Sequence, residues 1–126
     1  MGKSWTHKDL QVWQRALDLA EHIYRVTEAF PKSERFGLVV QMRRAAVSIV
    51  SNIAEGAARR TRPDFLQFLH VARGSLAELE AQTILATRLS ITKNPEALER
   101  LICRVGQLLT GLINKLSRDG RPRPVC

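Results

Sequence analysis

The stretch SERFGLVVQMRRAAVSIVSNIAEG, residues 33–56, decides the fold class. Leu38, Met42, Ala45, Ala46, Ile49 and Ile53 recur at steps of three and four, the period of one face of an α-helix rather than of a half-buried strand. On a wheel of about 100° per residue the stretch divides into three stripes instead of two. Beside the core stripe, Phe36, Val40, Val47, Ala54 and Ala58 form a second apolar stripe, and Gln41, Arg44, Ser48, Asn52, Glu55 and Arg59 form a polar one. Ser33 is placed to cap this helix and Gly56 to close it in the left-handed conformation.

Upstream, Thr6 and Asp9 stand in capping-box spacing, with Trp5 and Leu10 as a hydrophobic staple. Leu10, Trp13, Leu17, Ala20, Tyr24 and Thr27 then predict the buried face of a first helix that Pro31 ends. Downstream, Thr61, Pro63 and Asp64 open a third helix whose core face carries Phe65, Phe68, Leu69, Ala72, Leu76, Leu79, Thr83 and Ala86. Its surplus apolar residues are Leu66, Ile84, Leu85 and Leu89. Asn94 and Pro95 cap and start a fourth helix with an apolar face from Leu98 to Leu116, and Gly120, Pro122 and Pro124 preclude its continuation. The expected helices span about residues 7–30, 34–57, 62–90 and 95–117. Short connections make neighbours antiparallel, so the expected fold is all-α: an up-down-up-down antiparallel four-helix bundle over residues 1–117, with residues 118–126 a basic flexible tail.

At 126 residues the chain fits one domain, and 44% hydrophobic with 25% charged residues is a globular balance. Nothing resembles a secretory leader or an apolar span of about 20 residues, so a cytoplasmic protein without membrane association is expected. Cys103 and Cys126 lack the paired spacing of a zinc or dithiol site and are expected to be free thiols in a reducing cytosol. His7, His22 and His70 stand on different elements, the glycines fall singly, and no nucleophile, base or phosphate-loop motif is present. No metal, no cofactor and no catalysis are therefore expected.

The net charge of +8 favours polyanionic partners. Residues 33–62 hold six basic and two acidic side chains, whereas residues 63–93 hold three of each. The basic excess therefore centres on Arg43, Arg44 and the turn bearing Arg59, Arg60 and Arg62. Apolar surface beyond one stripe per helix predicts self-association through Phe36, Val40, Val47, Ala54 and Ala58. The polar stripe predicts a structural seam in which Arg44, Ser48, Asn52 and Glu55 meet Ser75, Glu78 and Gln82, with Arg44 and Glu55 in ion pairs. Repetition of the arginine turn around an oligomer would build a basic rim for a phosphate backbone, read through Arg43, Arg59, Arg60 and Arg62. No aromatic residue is interleaved with these arginines, so a base-stacking platform is not expected. A scaffold for an acidic or polymerase-type protein partner is the alternative function.

Four separated blocks carry a family resemblance: DLQVWQRA at 9–16, QMRRAAVSI at 41–49, SNIAEG at 51–56 and GSLAELE at 74–80. In this order they resemble the bacterial four-helix-bundle family of 23S rRNA intervening-sequence proteins, from about Asp9 to Leu116. The resemblance implies a cytosolic bundle, commonly a homopentamer, with no known catalysis. Some relatives are encoded in segments inserted in 23S rRNA genes; others are accessory proteins of diversity-generating retroelements, where a basic pentameric barrel assists a reverse transcriptase and contacts nucleic acid. The family often has Pro where this chain has Val50, and the tail beyond Leu116 has no counterpart in it.

Overall fold

The computed structural model describes residues 6–117, apart from the side chain of Asp9. Trp5 of the expected staple and the 118–126 tail lie outside the described residues. A short 3-10 turn, His7–Asp9, precedes α1, Gln11–Glu28; a second, Lys32–Glu34, precedes α2, Leu38–Ala57; α3 spans Arg62–Arg88 and α4 Glu96–Ser117. Each helix packs against its neighbours around the ring α1–α2–α3–α4–α1, with α2 against α3 the most extensive contact. This is the expected all-α, antiparallel four-helix arrangement. Its core holds Leu19 and Ile23 of α1, Met42, Ile49 and Ile53 of α2, Leu69 and Leu79 of α3, and Leu98 and Leu109 of α4.

On α2, α3 and α4 the expected core faces are the buried ones almost throughout; Leu38, Phe68, Leu101, Leu108, Leu112 and Leu116 are only half-buried. On α1 the buried set is Val12, Ala16, Leu19, Ile23 and Thr27, with Tyr24 44% exposed and Leu17 only half-buried. The expected face is displaced by one residue, about 100° of helix rotation. Both rows obey the same period. The chosen row faces α2 and α4 together, and Trp13, Ala20 and Val26 pack as its flanks.

The helix starts also differ from expectation. At Thr6 the hydroxyl accepts the Lys8 N–H (3.3 Å), which caps the 3-10 turn, and α1 begins only after Leu10 with no side-chain cap. For α2 the capping atom is the Glu34 carboxylate, which accepts the Leu38 N–H at 3.3 Å, so the helix starts at residue 38 and Ser33 lies in the preceding 3-10 turn. At α3 the Thr61 hydroxyl accepts the Asp64 N–H and proline occupies the first turn, as its spacing predicts. The α4 helix starts at Glu96, with the Pro95 carbonyl accepting the Glu99 N–H.

Gly56 does not end α2. It is buried within the helix, and a Cβ there would lie 2.7 Å from the Cβ of Phe68 and 3.0 Å from a ring carbon of Phe65. Its missing side chain is what lets the last turn of α2 approach the first turns of α3. At the far end of α3 the helix stops at Arg88 because the chain enters a Schellman turn: Ile91 N–H donates to the Ala86 carbonyl (2.9 Å) and Ser90 N–H to that of Thr87 (3.0 Å). Ser90 takes the left-handed position, φ 59°, that glycine usually fills.

Gly56→Ala is expected to lower unfolding free energy by about 1–3 kcal/mol through overpacking against Phe68 and Phe65. Ser90→Gly relieves the left-handed penalty and is expected to raise it by about 1 kcal/mol. Urea titration followed by far-UV circular dichroism measures both, and an unchanged midpoint for Gly56→Ala would show that the two helices need no glycine.

Candidate nucleic-acid interface

The turn between α2 and α3 projects three arginines in unequal states. Arg59 pairs with Glu55 one helical turn back (3.0 Å), and its guanidinium lies over the Phe68 ring, 4.7 Å from the centroid. Phe68 thus sits beneath an arginine, an aromatic neighbour that only the fold supplies, and the guanidinium covers that face of the ring. Arg60 and Arg62 are exposed and engage no acid, ring or hydrogen-bond partner among the described residues. Antiparallel topology brings two further cations to this end. Lys8 stands in the 3-10 turn that contacts α2, and Lys115 in the last turn of α4, whose Leu116 and Ser117 share a shallow hollow with Arg62 and Pro63. Glu55 is spent on Arg59, and Asp64 in the first turn of α3 is a further described acid of this end.

Arg43 does not belong to this cluster. Sixteen residues before Arg59 on the same helical run, it lies about 24 Å away at the α-helical rise of about 1.5 Å per residue. Its Nε donates to the Thr27 hydroxyl (2.9 Å), its Nη2 to the Tyr24 carbonyl (3.3 Å) and to the Glu28 carboxylate (3.0 Å), and its guanidinium lies 4.5 Å from the Tyr24 ring centroid. The expected phosphate ligand is instead a tie between α1 and α2. The neutral hydroxyl of Thr27, itself bonded to the Ile23 carbonyl, sits at the inner end of that tie.

The polar stripe of α2 meets α3 through uncharged groups. Ser48 and Ser75 hydroxyls are 2.8 Å apart, and the Asn52 amide donates to the Ser48 carbonyl (2.8 Å) and hydroxyl (3.1 Å). Arg44 and Glu78 are exposed and make no ion pair among the described residues, and Glu55 turns to Arg59. The expected pairing of Arg44 with Glu55 or Glu78 does not form, because Ser48 and Ser75 close the gap between the helices on their own.

Beyond the seam, Phe36 is 87% exposed, Val47 44% and Ala58 exposed, while Val40 and Ala54 are half-buried. On α3 Val71 and Leu85 are exposed, as is Leu89 just after it, and Val71 is not one of the expected surplus residues. The other two of that set point elsewhere: Leu66 packs against the core, and Ile84 faces a groove between α3 and α4. Cys103, in the same groove, is disulfide-bonded and so is not the free thiol expected; Cys126 lies outside the described residues. No helix among the described residues is long and apolar enough to cross a membrane, and none of their His, Cys, Asp and Glu side chains gather in groups of three.

A sequence profile of the 23S rRNA-intervening sequence proteins matches residues 8–111, a span that holds α1, α2, α3 and most of α4. The chain belongs to the 23S rRNA-intervening sequence protein family. No curated protein matches it. Its fold is similar to the crystal structure, at 1.70 Å, of a protein of unknown function from the S23 ribosomal protein family of Bacteroides thetaiotaomicron. The TM-score is 0.72 at 26% identity, over 81% of this chain and 97% of that one. The arginine turn lies inside the family match, whereas Lys115 and the tail lie beyond it.

Arg43→Ala removes the polar tie between α1 and α2 and is expected to destabilise the bundle by about 1–3 kcal/mol. Thr27→Val probes the inner end of the same tie, and a double-mutant cycle in urea is expected to return a coupling of about 0.5–1.5 kcal/mol. Strict additivity would show that the Nε contact contributes nothing.

Proposed function

We propose that this protein is a non-enzymatic, cytoplasmic homo-oligomer that binds RNA or another nucleic acid along its phosphate backbone. The observation that carries the reading is the pair Arg60 and Arg62, exposed and without acid partners among the described residues, at an end shared with Lys8 and Lys115. Guanidinium groups held free of internal partners are available for bidentate phosphate contacts. The turn also precedes the N-terminus of α3, whose dipole adds positive potential. Backbone contacts of this kind supply affinity without base readout, and Phe68 covered by Arg59 offers no open stacking platform.

The outer faces of α2 and α3 support the oligomeric part. Val47 on α2, Val71 and Leu85 on α3, and Phe36 and Leu89 flanking these helices expose apolar surface. Covering such a patch with further copies removes it from water and sets the arginine turns of several subunits around one axis. The family's name, which joins these proteins to 23S rRNA, is compatible with an RNA partner.

Two measurements test this. In gel shifts with structured RNA, Arg60→Ala/Arg62→Ala is expected to weaken binding and to make the slope of log affinity against log salt shallower by about 0.7–0.9 for each phosphate that is no longer neutralised. Arg43→Ala, compared at a temperature where it remains folded, is expected to bind as the wild type does; equal affinity and slope for the double variant and the wild type reject the rim. By light scattering the wild type is expected to exceed the 14.2 kDa monomer mass and Val47→Glu to lower the mass. A wild-type monomer at micromolar concentration rejects the oligomer.

A further inference from the structure

Phe36 is the most exposed large apolar side chain among the described residues, at 87%, yet the backbone that carries it is held in place. The Arg35 N–H donates to the Lys32 carbonyl (3.1 Å) and the Gly37 N–H to the Glu34 carbonyl (3.0 Å), while the Glu34 carboxylate takes the Leu38 N–H. The Arg35 guanidinium lies 5.7 Å from the Phe36 ring centroid. An aromatic ring fixed in this way forms an ordered anchor whose apolar area is recovered only when another surface covers it.

A groove of about 480 Å³ lies between the second half of α3 and the first half of α4, a size with room for an aromatic side chain. Ile84 and Ile102 line it together with Thr83 and Thr87, whose hydroxyls are already used on the Leu79 and Thr83 carbonyls of their own helix. Ile84 is 53% exposed.

Anchor and groove stand at one height on opposite sides of the bundle. Ser48 and Ser75 face each other across the antiparallel pair α2 and α3. Ten residues from Ser48 towards the start of α2 reach Leu38, and ten from Ser75 towards the end of α3 reach Leu85, each about 15 Å at the helical rise. Phe36 is therefore level with the end of α3 and with that end of the groove. In the ring of helices α1–α2–α3–α4 the connection between α1 and α2 lies across from the α3–α4 pair. Arg35 has no ion-pair partner among the described residues, and neither has Glu99, the acid of the groove in the first turn of α4. Arg88, Arg100 and Glu80 also line the groove and leave it neutral as a whole.

We infer that Phe36 of one copy seats in the α3–α4 groove of the next, with Arg35 beside it on the next copy's Glu99. The contact rests on the homo-oligomeric reading and gives the two surfaces through which copies meet. Because these surfaces are unlike, the contact is heterologous. Because they share one height, rotation about an axis parallel to the bundle, without translation, repeats it into a closed ring. All copies then point the same way, and their Arg60 and Arg62 side chains stand on a single rim.

Light scattering of the full chain at micromolar concentration reads the contact. The wild type is expected above twice the 14.2 kDa monomer mass, and Phe36→Glu and Ile84→Glu are each expected to run as monomers. Phe36→Glu keeps its groove and Ile84→Glu keeps its anchor, so an equimolar mixture of the two is expected to form a dimer and nothing larger. Both positions are exposed, and unchanged far-UV circular dichroism is expected for each. Should Ile84→Glu lose helical signal, the charge pair decides: Arg35→Glu and Glu99→Arg are each expected to weaken assembly by about two- to fivefold, the range of an exposed ion pair, and the double variant to restore it. A wild-type monomer rejects the oligomer and this contact together. A wild-type dimer, an oligomer whose mass survives Phe36→Glu, or a mixture that stays monomeric leaves the oligomer standing and overturns the contact.

Discussion

The close approach of α2 and α3 is the contact on which the rest of the molecule depends. Gly56 has no Cβ, and the space is taken by Phe68 and Phe65. One turn of α2 can therefore lie against the first turns of α3. That closeness draws Ser48 and Ser75 within hydrogen-bond distance further along the pair and leaves too little room for a layer of charged side chains between them. Serine and asparagine fill such a gap with satisfied donors and acceptors, whereas buried ions there would have to recover their hydration.

The same contact sorts the arginines. Where the helices meet tightly the chain must turn within a few residues, so Arg59, Arg60 and Arg62 crowd at one end of the bundle. Arg59 is held by Glu55 and Phe68, which fixes the turn, and its two neighbours remain open. At the opposite end Arg43 is committed to Thr27, Tyr24 and Glu28 and joins α1 to α2. The basic excess of residues 33–62 therefore divides between an internal tie and an external surface. A count of charge along the chain cannot make that division, because it has no term for which cations already have partners.

Much of the fold was legible in the residues. The three-and-four spacing of α2, α3 and α4, the Thr61–Asp64 cap and the prolines marked the helices and their order. Legibility failed where two local solutions were equally periodic or where neighbouring residues could each supply the same cap. On α1 the rows through Val12 and through Trp13 have the same period, and only the combined directions of α2 and α4 choose between them. At the start of α2 the Glu34 carboxylate, one residue closer to the helix, took the place expected of Ser33. Gly56 carried the signature of a helix end but served a helix crossing.

The number, order and approximate extent of the helices follow from the residues segment by segment, since backbone hydrogen bonding and apolar period are properties of each segment alone. The residues also marked the serine and asparagine row of α2 and the arginine turn after it. Tertiary structure alone decided which face of α1 is buried, which arginines are consumed, and that Phe68 lies under Arg59. Those outcomes depend on the directions in which neighbouring helices approach. Such directions arise from contacts between residues far apart in the chain, which no local pattern encodes.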